Sequence, residues 1–249
     1  MQNDTMSEYG KALAIMAHDL KAPLSAIVSI LSVINKGYVT DMAKAKELVA
    51  RASKKAEALI AMVNDILDYT LLTDKSMMKL ERVDLYEVLN ECVSTMKPYA
   101  DELEITLSTC KELNEMVKGE TIVNGNYTFL MRVFDNLIGN AIKYNKKNGK
   151  ITIDCKRNTK KKAATISITD TGIGIPEEDM SKIFNIFERG KYARRNINGS
   201  LGLGLSLVRQ IVEDHYGEIH VSSTVGVGTA VTVTLPLYKK DKEGGINES

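Results

Sequence analysis

The stretch Ile166-Ser-Ile-Thr-Asp-Thr-Gly-Ile-Gly-Ile-Pro176 decides how the larger part of this 249-residue chain folds. Apolar and hydroxyl residues alternate up to Asp170, the period of a half-buried strand. Gly172 and Gly174 then break the alternation, in a turn whose backbone can approach a flat ligand closely. A carboxylate at the end of a strand can accept a hydrogen bond from an exocyclic amine such as that of adenine. The turn matches neither the Gly-Lys-Ser/Thr phosphate loop nor a Gly-x-Gly-x-x-Gly that opens a helix.

Working outward, Ile105–Thr109, Ile151–Cys155 and Ala164–Ile168 alternate as strands. Glu218–Ser222 and Thr229–Leu235 flank the turn Thr224-Val-Gly-Val-Gly228 as a hairpin. Val83–Ala100, Tyr127–Tyr144 and Leu201–His215 carry helical periodicity. Residues 83–238 therefore read as an α+β sandwich, a sheet covered on one face by helices. Residues 73–82 are polar and aperiodic, a linker, and the polar residues 239–249 read as a disordered tail.

Residues 1–72 are different in kind. Leu13, Met16, Leu20, Leu24, Ile27, Leu31 and Ile34 step by three or four, and so do Val49, Ala52, Ala56, Leu59, Val63, Ile66 and Thr70. Each series is one apolar stripe on a helix. Gly37 stops the first helix, and Thr40 or Asp41 caps the second. Two helices with one stripe each cannot enclose a core. The hairpin is expected to dimerise into a four-helix bundle, the alternative being that it packs on the second domain.

Composition narrows the function classes. Lys and Arg number 33 and Asp and Glu 32, a net charge of +1, so no global attraction to nucleic acid is expected. Between Lys143 and Lys162 nine basic residues face one acid, Asp154, so the balance conceals local basic stretches. Three widely spaced cysteines, Cys92, Cys110 and Cys155, form neither a disulfide framework nor a metal-ligand pattern. No unbroken apolar run reaches the length of a membrane span, and the start of the chain lacks a signal-peptide pattern. The expectation is a cytoplasmic protein without a transmembrane helix.

Four constellations carry possible chemistry. In Met16-Ala-His-Asp-Leu-Lys-Ala-Pro-Leu24, Pro23 lies inside a helical pattern and removes a backbone hydrogen bond at a cost of about 3 kcal/mol. His18 lies off the apolar stripe, beside Asp19, where an imidazole can act as a nucleophile and the carboxylate can hold its tautomer. Taken alone, the pair reads equally as a surface histidine near a structural kink. In Asp135-Asn-Leu-Ile-Gly-Asn-Ala-Ile-Lys-Tyr144, Asn136, Asn140, Lys143 and Tyr144 share a helical face opposite Leu137, Ile138, Ala141 and Ile142. Amide oxygens can ligate Mg²⁺ and an amine can bind phosphate, and a merely wet polar face fits the same residues. The third constellation is the turn after Asp170. In the fourth, Gly202, Leu203 and Gly204 precede a helix whose first N–H groups can receive an anion. Between the last two, residues 177–198 hold Phe184, Phe187 and the basic cluster Arg189, Lys191, Arg194 and Arg195, long enough for a mobile lid or an ordinary surface loop.

The order and spacing of these elements resemble the bacterial sensor histidine kinases of two-component systems over about residues 8–238. His18-Asp-Leu-Lys-Ala-Pro-Leu24 is similar to the family's H box and Asn136–Tyr144 to its N box. Asp170-Thr-Gly-Ile-Gly174 is similar to the first glycine box, Phe184–Phe187 to the F box, and Gly202-Leu-Gly-Leu205 to the second glycine box. The resemblance implies a helical phosphotransfer domain that dimerises, followed by a Bergerat-type ATP-binding domain. It implies ATP and Mg²⁺ as cofactors and a response-regulator receiver domain as partner. His18 would take the γ-phosphoryl group, with Asp19 as base or orienting acceptor. Asn136 and Asn140 would hold Mg²⁺, Lys143 would contact phosphates, and Tyr144 would pack on the nucleotide. Asp170 would read the adenine amino group between Gly172 and Gly174, and Gly202, Leu203 and Gly204 would line the phosphates. Arg194 or Arg195 would supply a lid cation. Nothing in the length is left for a sensor, which implies a separate sensor protein or the cytoplasmic part of a longer membrane receptor. An inactive dimeric scaffold and another ATPase of the same nucleotide fold are the alternative functions.

Two positions depart from the family pattern. Leu201 stands where a Thr or Ser is common. Ala22 stands four residues after the histidine, where many members carry a Thr or Asn that positions water to dephosphorylate the partner. Weak or absent phosphatase activity is expected by that route. Loss of label from a phosphorylated receiver domain measures it, and a clear rate indifferent to replacement of Ala22 would contradict the expectation.

Overall fold

The computed structural model describes residues 2–73, 79–109, 118–186, 188 and 201–238. They fall into two compact units, Met1–Lys75 with Glu178–Leu207, and Ser76–Glu177 with Val208–Ser249.

The first unit is built on helices α1 (Gln2–Asn35) and α2 (Met42–Thr73), with Pro23 inside α1. The turn between them is set by local chemistry. Gly37 takes φ +72°, the Gly37 N–H donates to the Ile34 carbonyl, and the Tyr38 N–H donates to the Val33 carbonyl. This is the six-to-one and five-to-two pairing of a glycine-terminated helix. Asp41 caps α2 by accepting the Ala43 N–H at 2.8 Å. Met16 and Met62 are buried with Leu201 and Leu203, and Leu20 and Ile66 pack against them. That apolar cluster groups residues 178–207 with the hairpin, a grouping the division at residues 73–82 does not foresee. Ala52 is buried as well, but a row of apolar residues on the hairpin stays open, with Leu24, Val28, Leu31, Ile60, Val63 and Leu67 all exposed. Met16–Asn35, broken only by Asp19 and Lys21, is long and apolar enough by composition to span a membrane, with a mean hydropathy of 1.3. The expectation of no such helix is amended to that extent, because it rested on finding an unbroken run.

The second unit opens with β1 (Glu81–Asp84), which pairs antiparallel with β3 (Ile122–Gly125) and takes in Glu81 and Arg82 of the expected linker. These four-residue strands escape sequence reading because neither Glu-Arg-Val-Asp nor Ile-Val-Asn-Gly alternates apolar with polar residues. Asp84 ties them to helix α3 (Leu85–Glu102), accepting the N–H groups of Tyr86 and Gly119 and the Thr121 hydroxyl. The main sheet has the order β2-β4-β5-β7-β6, from β2 (Thr106–Thr109), β4 (Lys150–Asn158), β5 (Ala163–Asp170), β6 (Glu218–Thr224) and β7 (Gly228–Pro236). Only β2 and β4 pair in parallel. Register sets the faces. Ile153 opposes Ile168, Cys155 opposes Ile166, and Ile166 opposes Val233, which stacks the apolar residues on one side. On the other side Thr165 meets Thr234 and Ser167 meets Thr232 through their hydroxyls.

Helix α4 (Tyr127–Lys143) lays Leu130, Val133, Phe134, Leu137 and Ile138 on this core. Short helix α5 (Glu177–Met180) follows β5, and α6 (Gly204–Asp214) contributes Val208, Ile211 and Val212. The expected fold class, helical hairpin then α+β sandwich, is the one observed, and the expected strands and helices fall within a few residues of their places. Residues 239–249, Phe187, Arg194 and Arg195 lie outside the described residues.

One buried histidine joins α6 to α4. His215 is 1% exposed. Its Nδ1–H donates to the Ile211 carbonyl at 2.7 Å, which leaves Nε2 to accept the Asn126 N–H at 2.9 Å. Asn126 in turn caps α4 through the Phe129 N–H. Gly125 makes room, since a Cβ there would sit 2.9 Å from the imidazole. Burial lowers the His215 pKa, opposed by the Ile211 carbonyl and Asp214. Because the unfolded histidine binds a proton more readily, its neutral form stabilises the fold above about pH 6.5, and this contribution is lost as pH falls. Thermal unfolding of the chain should show a midpoint that drops between pH 7 and 5.5. His215→Ala should flatten that drop while costing about 2–4 kcal/mol at pH 7.5, from a cavity and an unpaired N–H.

Candidate functional site

In the second unit, α4 and the turn after β5 carry the polar groups. Helix α4 buries Leu137, Ile138, Ala141 and Ile142 and turns Asn136 and Asn140 to its other side, where both stay half-buried. Asn140 Nδ2 donates to Asn136 Oδ1 at 3.1 Å. That bond aligns the two amides and leaves the Asn140 oxygen for another partner. Lys143 holds its ammonium 5.7 Å from the centre of the Tyr144 ring. Asp135 belongs to the contact with Cys92 of α3, where its Oδ1 is buried without a partner and burial raises its pKa.

The Tyr144 carbonyl links α4 to the turn, accepting the Ile173 N–H at 3.1 Å. Gly172 is required at this contact, because a Cβ there would collide with the same carbonyl and lie 2.8 Å from Asp170 Oδ1. Asp170 receives two backbone N–H groups on one oxygen, from Gly172 at 2.7 Å and from Thr229 at 3.2 Å, both on Oδ1. Its Oδ2 is left to accept from a ligand. Burial raises the Asp170 pKa, and the Gly172 and Thr229 N–H groups oppose that rise. The geometry suits a half-buried acceptor for one N–H donor of a flat ring. Thr229 has no counterpart in the sequence expectations. Its contribution is a backbone N–H, which any residue could supply, so side-chain chemistry gives no signal for it.

In the first unit, His18 stands on α1 with its side chain 84% exposed, open to a reaction partner. Its Nδ1 lies 3.3 Å from Asp19 Oδ1. A carboxylate can only accept, so this contact selects the tautomer with hydrogen on Nδ1 and a lone pair on Nε2. The same unit holds the second glycine turn. Gly202 takes φ +75°, a conformation that favours glycine, and Gly204 opens α6. Leu201 and Leu203 flank these glycines and are buried at 2% and 1% exposure, with the Leu201 N–H 3.5 Å from Asp65 Oδ2. Leu203 therefore offers a ligand its backbone alone. The burial of Leu201 also gives a physical reason for an apolar residue at that position, since a hydroxyl would be placed among Met16, Met62 and Leu203.

Residues 9–74 match the family described as the His Kinase A phospho-acceptor domain. Residues 125–239 match the histidine kinase-, DNA gyrase B- and HSP90-like ATPase family. Drug sensory protein A of Synechocystis sp. is 31% identical over 246 residues, covering 95% of this chain and 36% of that protein. Sensor histidine kinase WalK of Bacillus subtilis is 30% identical over 241 residues, covering 95% and 38%. The chain thus spans little more than a third of the length of these two relatives. The mycobacterial sensor histidine kinase MprB superposes with a TM-score of 0.53 at 28% identity, over 63% of this chain and 97% of that structure. Histidine kinase ThkA, solved in complex with response regulator protein TrrA, gives 0.74 at 23% identity over 96% of this chain and 64% of that one, a likeness of fold. With a phospho-acceptor domain around His18 and an ATPase domain around Asn136 and Asp170, in that order along one chain, this protein belongs to the sensor histidine kinase family.

Proposed function

We propose that the chain is the kinase portion of an ATP-dependent protein histidine kinase that phosphorylates itself on His18 and passes the phosphoryl group to an aspartate of a response-regulator receiver domain. The observation that carries this reading is His18 itself, solvent-open on a phospho-acceptor helix with Asp19 at Nδ1. In the transfer, the Nε2 lone pair attacks the γ-phosphorus as the bond to the β-phosphate oxygen breaks and ADP leaves. Asp19 takes up the positive charge that develops on the ring, accepting the Nδ1 proton. The transition state is loose, so the contribution of the protein is positioning and charge neutralisation.

The proposed nucleotide roles fall on α4, the turn after β5 and the second glycine turn. Asp170 accepts the adenine amino group on Oδ2, Tyr144 packs on the nucleotide, and Lys143 contacts phosphate. Gly172 and Gly174 shape the pocket, and the backbone of Gly202, Leu203 and Gly204 faces phosphates. Asn136 and Asn140 are the proposed Mg²⁺ ligands. Their amide oxygens are hard donors, and no cluster of three carboxylate, His or Cys ligands occurs among the described residues. That donor set fits a cation held by one or two protein oxygens, phosphates and water. Bound there, Mg²⁺ would neutralise charge on the phosphates.

The open stripes of α1 and α2 support a homodimer. Leu24, Val28, Leu31, Ile60, Val63 and Leu67 repeat every three or four residues and stay exposed in a single chain. We assign phosphotransfer and dimerisation to the α1–α2 hairpin and nucleotide binding to the region from β1 through residue 238. Placement on the cytoplasmic side, as a separate kinase or below a membrane sensor, and an upstream signal input belong to the same proposal.

Incubation with γ-labelled ATP and Mg²⁺ should give acid-labile label that is absent from His18→Gln and lost on chelation. Acid-stable label, or label retained in His18→Gln, would refute the kinase reading. Separately, Val63→Asp combined with Leu67→Asp should turn the dimer into a monomer by light scattering, and an unchanged mass would refute the proposed face.

A further inference from the structure

The turn that holds Asp170 is fastened from outside by a single hydroxyl. Ser223 lies near the end of β6, opposite Thr229 of β7. Its Oγ accepts the Ile175 N–H at 2.8 Å and donates to the Gly228 carbonyl at 2.9 Å. The Thr229 hydroxyl lies 2.9 Å away. A serine hydroxyl has one proton to give and two lone pairs. With the proton on Gly228, the Thr229 hydroxyl is the donor to Ser223, and all three capacities are used. The joint therefore admits one arrangement of the turn residues against the β6–β7 hairpin.

The rest of the contact runs on backbone. The Gly226 N–H donates to the Ile173 carbonyl at 2.8 Å. Gly174 and Gly228 lie so close to Thr224 and Asp170 that a Cβ on either would overlap a backbone carbonyl. Thr229, bonded to Ser223 by its hydroxyl, is the residue whose N–H reaches Asp170 Oδ1.

We propose that Ser223 is a positioning residue for adenine recognition, acting through Thr229 and the Gly172–Ile175 turn to hold the Asp170 carboxylate with Oδ2 toward the base. This inference rests on the reading of Asp170 as the group that accepts the adenine amine. Its consequence is specific. Loosening the joint weakens the contact to the amine, and leaves contacts to ribose and phosphate as they were.

The test compares ATP with inosine triphosphate, which carries an oxygen where ATP carries the amino group. Dissociation constants are measured by calorimetry on the whole chain. Wild type should prefer ATP. Ser223→Ala should lose about tenfold of that preference, through weaker ATP binding with inosine triphosphate affinity little changed. Ser223→Thr, which keeps the hydroxyl, should retain most of it. Asp170→Asn, whose amide can donate, should shift preference toward inosine triphosphate.

A Ser223→Ala protein that keeps the wild-type preference, or weakens both nucleotides equally, overturns the inference while the Asp170 reading stands. Wild type without preference for ATP, or Asp170→Asn with the wild-type preference, overturns the Asp170 reading and the inference with it. If Ser223→Ala does not fold, Thr229→Val decides, since it removes one bond of the joint. A preference about threefold lower supports the proposal, and an unchanged one overturns it.

Discussion

The constraint on which the second unit depends is the burial of one face of β5. This strand lies in the middle of the five-stranded sheet, paired with β4 on one side and β7 on the other. Ala164, Ile166 and Ile168 are all but fully buried, so a slip of one residue would put three apolar side chains in water and three hydroxyl residues in the core. At about 25 cal/mol per Å² of apolar surface, such a slip costs several kcal/mol, comparable with the net stability of a typical domain. Register is therefore fixed, and with it the position of Asp170 at the strand end. The Asp170 carboxylate is placed by its neighbours' hydrophobicity.

From there the site is assembled by backbone groups. The Tyr144 carbonyl and the N–H groups of Gly172, Ile173 and Thr229 join α4, the turn and β7. The candidate side chains are few, and each has a neighbour that orients it. Asn140 steadies Asn136, Asp19 selects the His18 tautomer, and two N–H groups claim one oxygen of Asp170 and leave the other.

The hairpin has the opposite economy. Its turn is determined locally by Gly37 and Asp41, yet its helices leave a row of apolar residues exposed. A helix pair satisfies its backbone internally and still lacks a core. Part of the remedy lies within the chain, where Leu201 and Leu203 close over Met16 and Met62. The two leucine side chains of the glycine turn are thus committed to an apolar cluster.

The sequence by itself determined the element types and the fold class, a helical hairpin followed by an α+β sandwich, and it singled out His18, Asp19, Asn136, Asn140 and Asp170 as candidates. These rest on periodicity and on side-chain chemistry, which are local and readable. The short pair β1–β3 was not legible, since four residues give no reliable period. Nor was the joint around Ser223, where residues 48 positions apart in the chain meet through one hydroxyl. The grouping of residues 178–207 with the hairpin likewise depends on which apolar surface Leu201 and Leu203 find to cover them. Only the tertiary structure decided these, because hydrogen bonds to backbone and contacts between distant segments leave no pattern in the residues that make them.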